Sequence, residues 1–290
     1  GGQYTPVAGW AQAIGYHRDV LGDASWHGAL GVALGGEASV ATNGFWAALT
    51  MATTLELPML FYVEDNGLGI SVRSHLQTPG ANIAANLAAF RNLYLRDGDG
   101  CDPAQAARLL TEGVDHVRAG RGPALVRLTV PRLSSHSGPD NQKGYRTAEE
   151  IAADEARDPL PRLRALLLSR GMSAAEWDAV AAEAARDVER AIDAARARPT
   201  SDPARVARFV VAEPLDAGDA VAMGGLTDAE RDALGPGTDV AAEEGPVLRL
   251  AEAVRRTLAT ELERNPKLLV FGEDVGAKGG VHLVTEGLQK

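Results

Sequence analysis

The sequence predicts an α/β fold, a parallel sheet with helices on both faces. Three observations carry that prediction. Short apolar runs alternate with segments of helical period along the first 130 residues. The runs ALGVAL (29–34) and MLFYV (59–63) are continuously apolar, as strands covered on both faces are. Connections rich in helix signals separate the strands, which favours parallel over hairpin pairing.

Taken in order, PVAGWAQAIGYHRDV at 6–20 reads as a helix, and ALGVAL before Gly35 and Gly36 as a buried strand closed by a glycine turn. Phe45, Ala48, Leu49, Ala52 and Leu55 recur at helical spacing, and Pro58 breaks that helix. MLFYV forms the second strand. NIAANLAAFRN at 82–92 suits a helix and LYL at 93–95 a short strand. Pro103 opens a helix to about Arg118, and ALVRLTV at 124–130 is a β-branched strand. Residues 131–147, PRLSSHSGPDNQKGYRT, form a polar loop. Residues 173–198 read as a long helix opened by a Ser173–Glu176 capping box. Its stripe of Trp177, Val180, Ala184, Val188 and Ile192 is expected to pack on the domain. Residues 213–246 hold nine acids and one base, Arg231, among many Gly and Ala, which is linker composition. A new unit then starts with a helix at 249–264, a strand at 267–272 and a turn at Glu273 and Asp274. The expected organisation is a domain at 1–212, an acidic linker at 213–246 and a partial second α/β unit at 247–290.

Composition narrows the function. Hydrophobic residues make up 45% and charged residues 23% of 290, as in a globular protein with a real core. Net charge is −10, from 29 basic and 39 acidic residues, which argues against a nucleic-acid binder. An anionic ligand would need a local positive element: a cation, a helix N-terminus or a few Arg and His. No apolar run is long enough to span a bilayer, and the N-terminus has no signal-peptide pattern. Cys101 is the single cysteine, so no intrachain disulfide or cysteine metal cluster forms, and a cytoplasmic protein is the simplest expectation. DGDG at 97–100 lacks the spacing of a calcium loop and reads as a turn.

Parallel strands place their C-terminal ends on one edge, where open α/β sheets bind ligands. Glu37 follows the first strand, Asp65 and Asn66 the second, and His136 a later one. A carboxylate, an amide oxygen and backbone carbonyls are hard ligands suited to Mg²⁺ or Ca²⁺. Gly35 and Gly36 would let backbone approach a ligand, and the helix beginning near Thr42 and Asn43 would aim free N–H groups at a phosphate. One glycine-rich turn by itself is equally well read as an ordinary turn.

Together these words resemble a known motif. Gly36-Glu37-Ala38, followed after one helix by Glu64-Asp65-Asn66-Gly67, resembles the thiamine diphosphate motif. LELPMLFYVEDNGLGIS is similar to the α subunit of the first component of 2-oxo acid dehydrogenase complexes, of the pyruvate or branched-chain type. LSSHSGPDNQKGYRTAEEI resembles the His-Ser loop of that family, and residues 248–290 resemble the start of its β subunit. The resemblance implies oxidative decarboxylation of a small-molecule 2-oxo acid with thiamine diphosphate and magnesium (Mg²⁺), and acyl transfer to a lipoyl group on an acyltransferase partner. It implies a homodimer of fused chains or an α2β2-like assembly; charge and hydropathy lead us to expect no nucleic-acid or membrane partner. An acetoin-cleaving thiamine enzyme and a non-catalytic assembly fragment are the alternatives.

By the same resemblance, Gly36, Glu37, Ala38, Asn66, Leu68 and His136 bind the cofactor. Glu37, Asn66 and the Leu68 carbonyl hold the metal, and His136 is the catalytic residue beside the reacting centre. Ser137 stands at a serine that is phosphorylated in some relatives. Ala38, Asp65 and Leu68 replace a usual Gly, Asn and Tyr, and Asp65 is expected to add a charge near the diphosphate. Arg132, Arg146 and His136 are expected to supply local positive charge, and Glu273 and Asp274 to face the cofactor region. The family's activating glutamate belongs to a motif downstream of Gly287, so residues 1–290 are expected to be a fragment inactive alone.

Overall fold

The computed structural model describes residues 1–203, 205, 229, 247–272, 275–276, 279–280 and 282–289. The chain divides into two compact units, Gly1–Ala197 and Arg198–Lys290. The expected acidic linker at 213–246 lies outside the described residues except for position 229, and Glu273 and Asp274 also lie outside them.

The first unit is built on a four-stranded parallel sheet of β1 (Gly31–Gly36), β2 (Met59–Asp65), β5 (Tyr94–Asp99) and β6 (Ala124–Thr129), in the order β1-β2-β6-β5. A two-stranded antiparallel pair, β3 (Leu68–Gly69) and β4 (Val72–Arg73), follows β2. Strand period two sorts the core into two layers. Met59, Phe61, Val63 and Leu125 face α1 (Tyr4–Gly15), α2 (Asn43–Thr54) and α3 (Ile83–Asn86). Leu60, Val126 and Leu128 pack instead with Leu109 and Val117 of α4 (Pro103–Arg118). Helices therefore lie on both faces of the sheet, as the alternation predicts, but β1 is covered on one face only: Val32 and Leu34 are 43% and 62% exposed, so the buried strand expected at 29–34 is half-buried.

Several boundaries moved. The first helix continues through one wider turn at Tyr16–Val20. Gly35 and Gly36 belong to β1, in register with Val63 and Glu64. The helix expected at 82–92 is limited to Ile83–Asn86, and Asn92 takes a left-handed φ of 57° before β5. The strand expected at 93–95 runs on to Asp99, because Arg96, Asp97, Gly98 and Asp99 pair with β6. That pairing absorbs most of DGDG into a strand.

After the polar loop come α5 (Ala148–Glu155), α6 (Pro159–Ser169) and α7 (Ala174–Arg196), the first two unforeseen. Ser173 and Glu176 form the expected capping box on α7. The expected packing of its stripe fails: α7 has no buried residue, and Val180 and Val188 are 57% and 59% exposed. Of the stripe only Trp177 is partly covered. The second unit contains α8 (Leu250–Arg264). Residues 267–272 form no strand there, since a strand needs a ladder partner and none pairs with them among the described residues.

Candidate functional site

The C-terminal ends of β1 and β2 meet as expected. Glu37 leaves β1 and is only 3% exposed. Its Oε2 accepts a hydrogen bond from the backbone N–H of Asn66, 3.2 Å away, which joins the two turns. Its Oε1 is buried and has no hydrogen-bond partner. Burial is the largest influence on the Glu37 carboxyl and raises its pKa; its own backbone N–H, the Asn66 N–H and Arg132 oppose the rise, and Asp65 adds to it. A buried acceptor left unpaired costs roughly 1–3 kcal/mol, more if charged. A cation bound at Oε1 would offset that cost.

The turn after β2 is shaped by its own side chains. Asp65 Oδ1 accepts from Gly67 N at 2.9 Å, and Asn66 Oδ1 from Leu68 N at 3.1 Å. An amide oxygen has two lone pairs, so Asn66 Oδ1 keeps one for a ligand. Gly67 has a φ of 77°, a region open to glycine at little cost. The charge expected at Asp65 is buried and paired: Asp65 meets Arg127 Nε at 2.7 Å. Arg127 also pairs with Asp97 at 2.7 Å.

The reason for Gly35 differs from the one expected. A Cβ there would fall 2.3 Å from the Tyr4 hydroxyl and 2.4 Å from Ser39 Oγ, so its space belongs to the protein and not to a ligand. Ser39 Oγ donates to the Gly36 carbonyl at 2.6 Å, which uses its one proton, so the Tyr4 hydroxyl donates to Ser39 at 2.7 Å. Tyr4 packs against Phe45 and Phe61 and so ties the Glu37 turn to the core. The start of α2 has no side-chain cap, but a Cβ at Gly44 would meet the Gly1 carbonyl at 2.9 Å, so the first residue lies against that helix end.

The loop after β6 is cross-linked by arginines. Arg132 donates from Nη1 to the Ile70 carbonyl, bracing the β3–β4 turn, where Ile70 has a φ of 57°, uncommon for a β-branched residue. Arg73, paired with Leu68 across β3 and β4, bonds Glu150 at 2.8 Å. Arg146 is consumed within the loop by the Arg132 carbonyl, Gln142 and Asp154, so its charge is committed there. Arg132 is the loop cation whose charge acts on both Glu37 and Asp140. His136 is exposed, and its backbone N–H donates to Asp140 Oδ2 at 2.8 Å. Ser137 is exposed beside it.

Glu37 and the Asn66 turn are thus brought together by a hydrogen bond, Leu68 follows directly, and the His136 loop is tied to the β3–β4 turn. Among the described residues no group of three His, Cys, Asp or Glu side chains could hold a metal. The expected donor set needs one carboxylate, one amide oxygen and one carbonyl, which suits an octahedral ion completed by phosphate and water. Sequence reasoning missed Arg127, Tyr4, Ser39 and Asp154. Arg127 had a signal: a charge inside the apolar run ALVRLTV needs a buried partner.

The sequence model of the Dehydrogenase E1 component family matches residues 2–204. The chain is 30% identical over 141 residues to the 3-methyl-2-oxobutanoate dehydrogenase subunit alpha of Mycobacterium tuberculosis (strain CDC 1551 / Oshkosh), covering 49% of this chain and 38% of that protein. It is 27% identical over 172 residues to the pyruvate dehydrogenase E1 component subunit alpha of Mycoplasma pneumoniae, covering 59% and 46%. It is 29% identical over 174 residues to the mitochondrial 2-oxoisovalerate dehydrogenase subunit alpha of Homo sapiens, covering 58% and 38%. The matched stretch therefore spans less than half the length of each of these relatives.

Proposed function

We propose a function from one premise: the chain belongs to the dehydrogenase E1 component family. Our reading is that it carries the diphosphate- and metal-binding part of an enzyme that decarboxylates a 2-oxo acid, pyruvate or a branched-chain acid. The observation that carries the reading is the unpartnered, buried Oε1 of Glu37, held opposite Asn66.

In this proposal Glu37, Asn66 Oδ1 and the Leu68 carbonyl hold Mg²⁺, with Gly36 and Ala38 backing the diphosphate. Thiamine diphosphate supplies a carbon nucleophile and an electron sink for the loss of CO₂. The chain's own residues bind and orient. Glu37 offers a carboxylate that burial makes costly to charge without a cation. Arg132 adds positive charge on the side of the His136 loop. His136 lies in an exposed loop, free to meet the diphosphate and to hold a proton at the reacting centre.

The proposal assigns the diphosphate domain to 1–212, the linker to 213–246 and a β-subunit-like piece to 247–290. A lipoyl acyltransferase is the proposed partner, and the names of the relatives support that class of complex. A cytoplasmic location is part of the proposal, supported by the single, buried Cys101.

The test is decarboxylation by the intact protein of pyruvate, 2-oxoisovalerate and acetoin with an artificial electron acceptor, followed by reductive acylation of a lipoyl domain. Turnover of a 2-oxo acid is the expected result, and His136→Ala should keep the parental melting temperature while losing most of the acylation rate. Turnover of acetoin alone would move the assignment to the acetoin-cleaving class.

A further inference from the structure

The charge pair behind the Asn66 turn has no part in the ligand set described above. Arg127 sits mid-strand in β6, opposite Val63 of β2 on one side and Asp97 of β5 on the other. Asp65 lies two residues beyond Val63 and so on the same face. A guanidinium can donate in two directions from one plane, and Arg127 does so: Nε to Asp65 Oδ2 and Nη1 to Asp97 Oδ1, each at 2.7 Å. Arg127 and Asp65 are 8% and 5% exposed.

Asp65 uses its other oxygen on the turn itself, accepting from Gly67 N at 2.9 Å. From the opposite side, Glu37 accepts from Asn66 N at 3.2 Å. The turn at 65–68 is therefore gripped twice, by Glu37 directly and by Arg127 through Asp65. We infer that Arg127 is a positioning residue: by holding Asp65 it fixes the turn that presents Asn66 and the Leu68 carbonyl to a bound cation. The grip follows from the hydrogen bonds; that the turn binds Mg²⁺–thiamine diphosphate rests on the proposed function.

The geometry also explains how Asp65 is tolerated. The Asp65 carboxylate acts on Glu37 at the end of the sheet. Arg127 offsets the Asp65 charge, so the cation site meets one uncompensated acid instead of two. Removing Arg127 leaves Asp65 buried without its main partner, and the cheapest relief is for Asp65 to swing towards solvent. That motion breaks the bond to Gly67 and carries Asn66 with it. A plain cross-link between strands makes a different prediction, in which all of the sheet and its helices loosen together.

The experiment compares the intact parent with Arg127→Met and with the double variant Asp65→Asn/Arg127→Met. Amide exchange is read at Asn66 and Gly67 and, as an internal control, along α4, all without cofactor. Calorimetry with Mg²⁺–thiamine diphosphate is read separately. Arg127→Met should lose protection at the turn well beyond any loss in α4, and its cofactor affinity should fall about 10–100-fold, as for other groups that orient metal ligands. The double variant, with no unpaired charge at position 65 and an amide oxygen there still able to accept from Gly67 N, should regain most of that affinity. Unchanged protection at Asn66 and Gly67, or an equal loss in α4, overturns the inference. No binding by the parent overturns the functional reading, and exchange alone then decides the positioning role. Should Arg127→Met not fold, Arg127→Gln serves, since an amide removes the charge and keeps a polar group in the buried site; parental turn protection in that variant overturns the inference.

Discussion

Asp140 accepts from the Tyr145 hydroxyl at 2.6 Å and from the His136 N–H at 2.8 Å. The Tyr145 bond is the larger influence, and together they hold the carboxyl below its ordinary 3.8 while the Tyr145 phenol is raised. A carboxyl lowered in the fold contributes order that is present above its unfolded pKa and lost as pH falls through the folded one. The His136 loop should therefore keep full amide protection at His136 above pH 3.8 and lose it further into acid. Asp140→Ala should show low protection at every pH, and parental protection in that variant at pH 6 would rule out the tie. Glu37 and Asn66 were legible in the sequence because an acid and an amide after successive parallel strands must share an edge. Asp140 and Arg127 were not, because their roles depend on partners fixed only by loop closure and by strand register.

α4 shows how an element's fit to its neighbour can outweigh its own propensity. Asp102 caps it by accepting from Ala104 N and Gln105 N, and Pro103 fills its first turn. Gly113 lies mid-helix, where alanine would gain about 1 kcal/mol of propensity. A Cβ there would meet Val126 Cγ2 at 2.8 Å, with Leu60 Cδ1 at 3.3 Å. Both are buried core atoms with little room to move, and overpacking costs about 1–3 kcal/mol. Gly113→Ala is thus expected to be destabilising on balance, read as a lower denaturation midpoint at unchanged slope. A raised midpoint would contradict the close packing of α4 on β6. Strands and long helices were readable from period and capping signals. The short length of α3 was not: the chain leaves the helical path after Asn86, and Asn92 takes a left-handed φ of 57° before β5. The strand expected at 267–272 needed a partner that sequence period alone does not supply.

At the scale of the whole molecule, the parallel order β1-β2-β6-β5 gathers three turns at one edge, and that was foreseeable from the alternation of elements. The exposed stripe of α7 and the exposed Val32 and Leu34 on β1 were not, since a stripe predicts that something covers it and not what. No described helix is long and apolar enough to cross a membrane. In the proposed function a cation stands between a chain of net charge −10 and the diphosphate. There Glu37 supplies the carboxylate for that cation. The most direct measurement is calorimetric titration of thiamine diphosphate, with and without Mg²⁺, into the intact parent and Glu37→Gln. Glutamine keeps the shape and can still accept from Asn66 N, so the fold and its melting temperature should survive. Mg²⁺-dependent binding is expected in the parent and is lost in the variant. Parental, Mg²⁺-dependent affinity in a folded Glu37→Gln would contradict it.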